Sequence, residues 1–289
     1  MKLSSNIAIV LTAILFATAR MGAQISVGVS GVGPLAFDVP PLGSEWMTRG
    51  VSPSSAASII TGAQLDAAVQ TNTAASINIV LSTSPTIPPV PLATAQWNST
   101  GYYLQTRPTA NAATLLMATL RNDTGADVLA VTVGYTLGAL VVAGSEIREE
   151  VPGHRAYYSL TGATGNWVHI PEFDSASPSN AGLRSAVLNL GLWPAGTTLF
   201  LLWADDNGSA GSTAPTAEGG YIIDDFSVSA TLDNSAAHIF VPPQSQAVAP
   251  GTPVSLQVTA GGMNPLFYQW RRNSNALAGA TNKIGRAHV

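Results

Sequence analysis

Two acidic clusters hold most of the chemistry this sequence could perform. Asp224 and Asp225 interrupt an apolar run at residues 221–228, and Asp205-Asp206-Asn207-Gly208 stands one hairpin earlier. Strict alternation puts Ile222, Asp224, Phe226 and Val228 on one face of a strand and Ile223, Asp225 and Ser227 on the other. If the first face is the core, Asp224 is a carboxylate among apolar side chains. It then needs an arginine, several N–H donors or a cation, because an unpaired buried charge is too costly to persist. Asp205, Asp206, Asn207, Asp224 and Asp225 offer the hard oxygen donors that Ca²⁺ takes, so a structural calcium is one expectation. An aspartate–arginine or aspartate–backbone network is the other. No EF-hand loop pattern is present.

Aromatic side chains supply a second chemistry, the stacking of sugar rings on exposed π-faces. Tyr102, Tyr103, Tyr157, Tyr158 and Trp167 are the candidate ligand-binding residues, with Trp97 beside them. Neighbours in a strand face opposite ways, so one tyrosine of each pair is expected in the core. Trp203 ends a dense apolar run and reads as core.

Catalytic arrangements are not supported. A pair of carboxylates for glycoside hydrolysis, in an E-x-D-x-x-E run, does not occur. Glu146-Ile147-Arg148-Glu149-Glu150 comes nearest and reads as a solvated loop or edge. His154, His169 and His238 lack metal-ligand spacing and read as isolated, hydrogen-bonded surface groups, and no G-x-S-x-G elbow occurs. Asn98, Asn122 and Asn207 begin N-x-[ST] glycosylation sequences, a short and frequent pattern.

The elements that must position these residues are strands. Residues 113–121, 127–135, 184–192, 197–204 and 220–230 are runs rich in Val, Leu, Ile, Thr and aromatics, separated by Gly, Asn, Asp and Pro turns. Within 127–135, Leu129, Val131, Val133 and Tyr135 take the expected core face. Residues 129–142 are the longest apolar stretch after the N-terminus, but Thr132, Gly134, Thr136 and Gly138 fit a pair of strands rather than a membrane span. Only residues 61–70 suggest a helix, weakly. Residues 84–91, with four prolines, read as a stiff crossover. The pattern predicts an all-β protein, an antiparallel sandwich.

The composition agrees. Among 289 residues, 46% are hydrophobic, 10% charged and none is cysteine, which excludes chain-wide disorder, a disulfide scaffold and a cysteine-ligated zinc. A net charge of −4 without a basic patch excludes a nucleic-acid footprint.

The two ends read differently. Residues 1–23 have the form of a secretory signal: Lys2, an apolar run at 7–16, and Ala17-Thr18-Ala19 or Ala23 as the cleavage site. The expected location is therefore secreted or at the cell surface, with no transmembrane segment in the mature chain. Residues 283–289 match the translation of a common sequencing-adapter string, so they are expected to be non-native, with the natural chain continuing past Asn282. Both lysines, Lys2 and Lys283, fall in these two segments together with Arg20 and Arg286, so the part between them is more acidic than the whole.

A seam follows Thr231. Residues 232–241 read as a linker, ahead of expected strands at 254–260 and 267–273. The run at 242–282, with Tyr268-Gln269-Trp270 and Gly279-Ala280-Thr281, resembles the first half of a bacterial immunoglobulin-like domain. That resemblance implies a tryptophan packed between two sheets. Residues 35–231 resemble more loosely a bacterial secreted jelly-roll module of the concanavalin-like and carbohydrate-binding type, which sets the expected module at residues 24–231. The likeness rests on Leu35-Ala36-Phe37-Asp38 with Trp46, on residues 120–125, on Trp193-Pro194-Ala195-Gly196, on 202–207 and on 221–228. It implies a non-catalytic binding or adhesion module whose partners are extracellular or cell-wall glycans or surface proteins. An accessory region of a larger secreted hydrolase and a purely structural spacer are the alternatives.

Overall fold

The structure is a computed structural model that describes residues 24–52, 59, 61–87, 92–109, 112–140, 150–176, 181–206, 220–249, 252–263 and 265–288. The signal-like segment, Asn207 and residues 146–149 lie outside these. In chain order the first strands are β1 (Ile25–Val27), β2 (Val32–Leu35) and β3 (Trp46–Val51), followed by α1 (Gly62–Gln70). Then come β4 (Ile79–Val80), β5 (Ser82–Ser84), β6 (Leu92–Asn98), β7 (Tyr103–Arg107), β8 (Ala113–Asn122) and β9 (Val128–Leu140). Next are β10 (Arg155–Ser159), β11 (Val168–Ile170), β12 (Gly182–Trp193), β13 (Thr198–Asp205) and β14 (Gly220–Leu232). The last are β15 (His238–Val241), β16 (Pro253–Gln257), β17 (Thr259–Gly261), β18 (Arg271–Arg272), β19 (Asn275–Ala276) and β20 (Ile284–His288).

The protein is all-β, with two large sheets of mostly antiparallel strands, each seven-stranded. The first runs β11-β10-β13-β8-β3-β4, with β1 alongside β8. The second runs β12-β9-β14-β7-β6-β5, with β2 alongside β14. Between them lies an aromatic core contributed by both sheets. Trp46 and Trp203 stack at 5.7 Å, and Phe226 meets Trp46 edge-on at 5.1 Å. Tyr135 meets Trp203 edge-on at 5.7 Å. Trp203 is core, as the sequence implies.

The outer faces of the two sheets differ. The first sheet is apolar on both sides: Leu116, Ala118 and Leu120 of β8 face the inter-sheet core, while Ala113, Leu115 and Met117 face a second cluster. Leu65 and Val69 of α1, with Ile77 and Trp167, cover that second side. The helix forms despite its modest pattern because Thr61 caps Gln64 N–H and two apolar side chains one turn apart reach the sheet. The second sheet exposes Leu183 and Val187 of β12 and Asp225 of β14 on its outer side, whereas Gln96, Asn98 and Gln105 of β6 and β7 are buried.

Several sequence expectations need correction. Within the expected pair of strands at 129–142, the described residues form one strand, Val128–Leu140, with Gly134 and Gly138 on its outer face rather than in a turn. Val128 rather than Leu129 enters the core, since both neighbouring strands shift register beside it. Residues 238–241 of the expected linker form β15, paired with β17. Within residues 267–273 only Arg271 and Arg272 pair, in a hairpin with Asn275 and Ala276. Phe267 is 90% exposed. No helix among the described residues is long and apolar enough to cross a membrane.

Candidate functional site

The acidic pair of β14 sits on a bulge. The ladder with β9 runs regularly to Asp224↔Thr136 and resumes at Ser227↔Gly134, so one extra residue is inserted there. Asp225 takes that place with φ of 50°, the left-handed region that aspartate tolerates better than most residues. The inserted residue resets the alternation. Tyr221 and Ile223 face the core before it, and Phe226 and Val228 face the core after it. The expected face of Ile222, Asp224, Phe226 and Val228 is therefore split. Asp224 is half-buried and Asp225 exposed, both outside the core.

The bulge also marks a change of neighbour on the far side of β14. Residues 221–223 pair with β7, ending at Ile223↔Leu104, whereas Phe226 and Val228 pair with β2. Gly33 makes the second pairing feasible, since a Cβ there would collide with the carbonyl of Phe226. Asp38, three residues beyond β2, adds a third carboxylate. Partial burial pushes the Asp224 carboxyl above its ordinary range; the Asp225 N–H opposes this, and the charges of Asp225 and Asp38 add to it. The Asp225 N–H donates to Asp224 Oδ1 at 2.8 Å, and Thr136 Oγ1 donates to Asp225 Oδ2 at 3.2 Å. In the same row, Thr136 lies opposite Leu183 of β12, an apolar side chain 78% exposed.

Asp205 and Asp206 lie elsewhere, fully buried at the end of β13. Thr106 Oγ1 donates a short bond to Asp205 Oδ2 and lies 2.8 Å from His154 Nε2. The threonine proton is committed to the carboxylate, so His154 Nε2 must be the donor and Nδ1 the bare nitrogen. His154 Nδ1 has no hydrogen-bond partner among the described residues. Burial lowers the His154 pKa to about 3, so the ring is neutral. Asp206 accepts from Val151 N–H at 2.9 Å, and Gly153 N–H donates to the Tyr221 hydroxyl at 2.8 Å. His154 is thus an interior residue, not the surface group its isolation suggests.

The four described candidates for calcium, Asp205, Asp206, Asp224 and Asp225, do not converge. Two are held inside by protein donors, two sit on the β14 bulge, and Asn207 lies outside the described residues. Among those residues no group of three or more His, Asp or Glu could hold one metal ion.

The aromatic candidates separate sharply. Tyr103, Tyr157 and Trp167 are buried and cannot offer a face to a sugar. Burial also raises the Tyr103 pKa. Trp167 Nε1 donates to Asn72 O at 2.9 Å, and the Tyr157 hydroxyl donates to Asp66 Oδ1 at 2.7 Å. Trp97 is also buried, its Nε1 on Phe37 O at 2.8 Å. Tyr158 is half-buried against the inter-sheet core. Tyr102 remains, 47% exposed at φ 59° on the turn before β7, its ring 6.4 Å from that of Trp97. Asn98 holds this turn, its Oδ1 accepting from the N–H groups of Thr100 and Gly101.

One constellation is absent from the sequence reading. Arg155 binds both carboxylate oxygens of Asp66 on α1, at 2.9 and 3.1 Å, and reaches Asp174 at 3.0 Å. His169 Nε2 meets the other oxygen of Asp174 at 2.9 Å. This network pins the helix to the first sheet. No spacing signals it, because its members come from four separate segments.

No protein-family model matches this chain, and no curated protein matches it.

Proposed function

We propose that residues 24–231 form a secreted, non-catalytic binding module of the jelly-roll type that contacts glycans through the open face of the second sheet. The observation that carries this reading is the β14 bulge. It turns Asp224 and Asp225 out of the core beside the Thr136 hydroxyl, in one row with exposed Leu183. Carboxylates that accept from sugar hydroxyls, next to an apolar side chain that covers a ring face, are the groups a saccharide requires. Tyr102 is a second stacking group.

A glycan array probed with the full chain tests the assignment. Binding to a subset of glycans, reduced at least about tenfold by Asp225→Ala, is the expected outcome. Uniform absence of binding overturns it in favour of a spacer, and binding unchanged in Asp225→Ala moves the site off the bulge.

A further inference from the structure

A carboxylate at the seam is buried with one oxygen left over. Asp233 directly follows β14 and is buried, and its N–H donates at 2.8 Å to the carbonyl of Asp127, on the turn between β8 and β9. Its Oδ1 accepts from the Ser235 N–H at 3.0 Å and from the Ser235 hydroxyl. Its Oδ2 accepts no hydrogen bond of good geometry among the described residues. A buried carboxylate oxygen without a donor is destabilising, and native structures keep few of them.

Strand β17 closes on the same turn. A Cβ at Gly261 would lie 2.9 Å from Asp233 Oδ2, and one at Gly262, whose φ is 131°, would lie 2.8 Å from Ala237 Cα. Glycine at both positions permits this approach. The Met263 N–H fastens it by donating to the Ser235 carbonyl at 2.9 Å. The turn at 233–237 is therefore packed rather than loose. Asp127 holds it from the sandwich, and β17 holds it from the other side.

His238 opens β15 opposite Gly261, and both of its ring nitrogens face acceptors. Nδ1 lies 3.0 Å from Ala236 O and 3.1 Å from Ser235 Oγ, whose own proton goes to Asp233. Nε2 lies 4.0 Å from Asp233 Oδ2. A neutral imidazole has one N–H, which Ala236 O takes, so a bare nitrogen is left facing a bare carboxylate oxygen. The imidazolium has a donor for each side. The Phe240 ring meets the imidazole edge-on at 4.4 Å. Tyr268 and Arg271 line the shallow groove beside His238, and β17 brings no charged group.

We propose that Asp233 and His238 form a pH-sensitive latch across this seam, in which protonation of His238 closes the gap between Nε2 and Oδ2 and stiffens the joint between the sandwich and the β15–β17 pair. Closing the gap by about 1 Å makes a charge-assisted hydrogen bond and satisfies the remaining oxygen of the buried carboxylate. Histidine is the side chain that changes charge between about pH 5 and 8, so the latch is shut on the acidic side of that range. A proton bound more tightly in the latched form stabilises it, and that stabilisation is lost as pH rises. Asp233 supplies the negative partner. The Ser235 hydroxyl holds its carboxyl below the ordinary value; burial opposes this, and the Ser235 N–H, the His238 charge and the Gly262 N–H add to it. The latch sets how firmly the sandwich carries the part of the chain that follows it, and it does not depend on the glycan reading.

Hydrogen exchange of the full chain, corrected for intrinsic rates, tests the latch. Protection of residues 233–241 and 259–263 is expected to be about fivefold higher at about pH 5.5 than at about pH 7.5, the size suited to an ion pair whose histidine is 39% exposed. The gain is expected to vanish in His238→Gln and in Asp233→Asn, whose amide keeps an oxygen for the Ser235 donors. Equal protection at the two pH values in wild type overturns the proposal, as does a gain that persists in His238→Gln. Should a variant lose protection of this segment at both pH values, nitrogen NMR of the wild-type ring decides. On the acidic side a hydrogen-bonded Nε2–H supports the latch, and an Nε2–H exchanging freely with water overturns it.

Discussion

The Thr136 hydroxyl donates to Asp225 Oδ2 at 3.2 Å, between the two longest strands among the described residues, each of thirteen residues. This bond closes over the interruption in their ladder between Asp224 and Ser227. It ties the exposed carboxylate of the bulge to the strand beside it, and so fixes the direction in which the acidic pair faces.

The bulge depends on a left-handed backbone at residue 225. Asp225→Gly is expected to leave the urea midpoint nearly unchanged, since glycine adopts this conformation freely. Asp225→Val is expected to cost about 1–2 kcal/mol, because a β-branched side chain opposes positive φ. Equal midpoints for the two variants would place the strain elsewhere.

Asp224 gives a pH dependence of known sign. Its folded-state carboxyl is raised above the ordinary value by partial burial and by the charges of Asp225 and Asp38. The ionised form is thus disfavoured in the fold, and stability is lost as pH rises through the raised value. Asp224→Asn keeps an oxygen to accept the Asp225 N–H and removes the charge. Its melting temperature is expected to exceed wild type at neutral pH, with the gain vanishing below the ordinary carboxylate range.

His154 acts in the opposite direction. Burial holds it neutral with a pKa of about 3, whereas the unfolded ring binds a proton near pH 6.5. Between those values the unfolded state carries the extra proton, so stability falls as pH drops. The slope approaches about 1.4 kcal/mol per pH unit for one proton. In His154→Gln the urea midpoint is expected to be lower at neutral pH but flatter between pH 6 and 4 than in wild type, on the ordinary histidine scale.

Arg155 anchors α1 through Asp66 and reaches Asp174 from the same guanidinium. The partners are about one-third exposed, so solvent screening limits the effect to about 1–2 kcal/mol. Hydrogen exchange of Arg155→Ala is expected to show faster exchange in residues 62–70 and little change in β9 and β14. Uniform acceleration across both sheets would mean that the helix and sandwich unfold as one unit.

The candidate site was only half legible in the sequence. The pair Asp224-Asp225 stands out there as carboxylates inside a strand. Its orientation does not, because alternation predicts the wrong face for Asp224 whenever a residue is inserted, and no residue type announces the insertion. The tyrosine pairs were legible in the same limited way. Each was expected to place one ring inward, and Tyr103 and Tyr157 are those rings. That Tyr157 and Trp167 serve the layer beneath α1 depends on Leu65 and Val69, about 90 residues earlier in the chain.

By itself the sequence determined that this is an all-β chain with turns at the Gly, Asn and Pro clusters and long strands near residues 113–121, 127–135, 184–192, 197–204 and 220–230. Those are local matters of propensity and period, written in neighbouring residues. The tertiary structure alone decided which strands are edges and which sheet is covered on both sides. It also placed Asp205 beside Thr106 and His154, and turned Asp224 and Asp225 to solvent. These depend on residues far apart in the chain meeting in space, and a single inserted residue in one strand is enough to reverse what the local pattern implies.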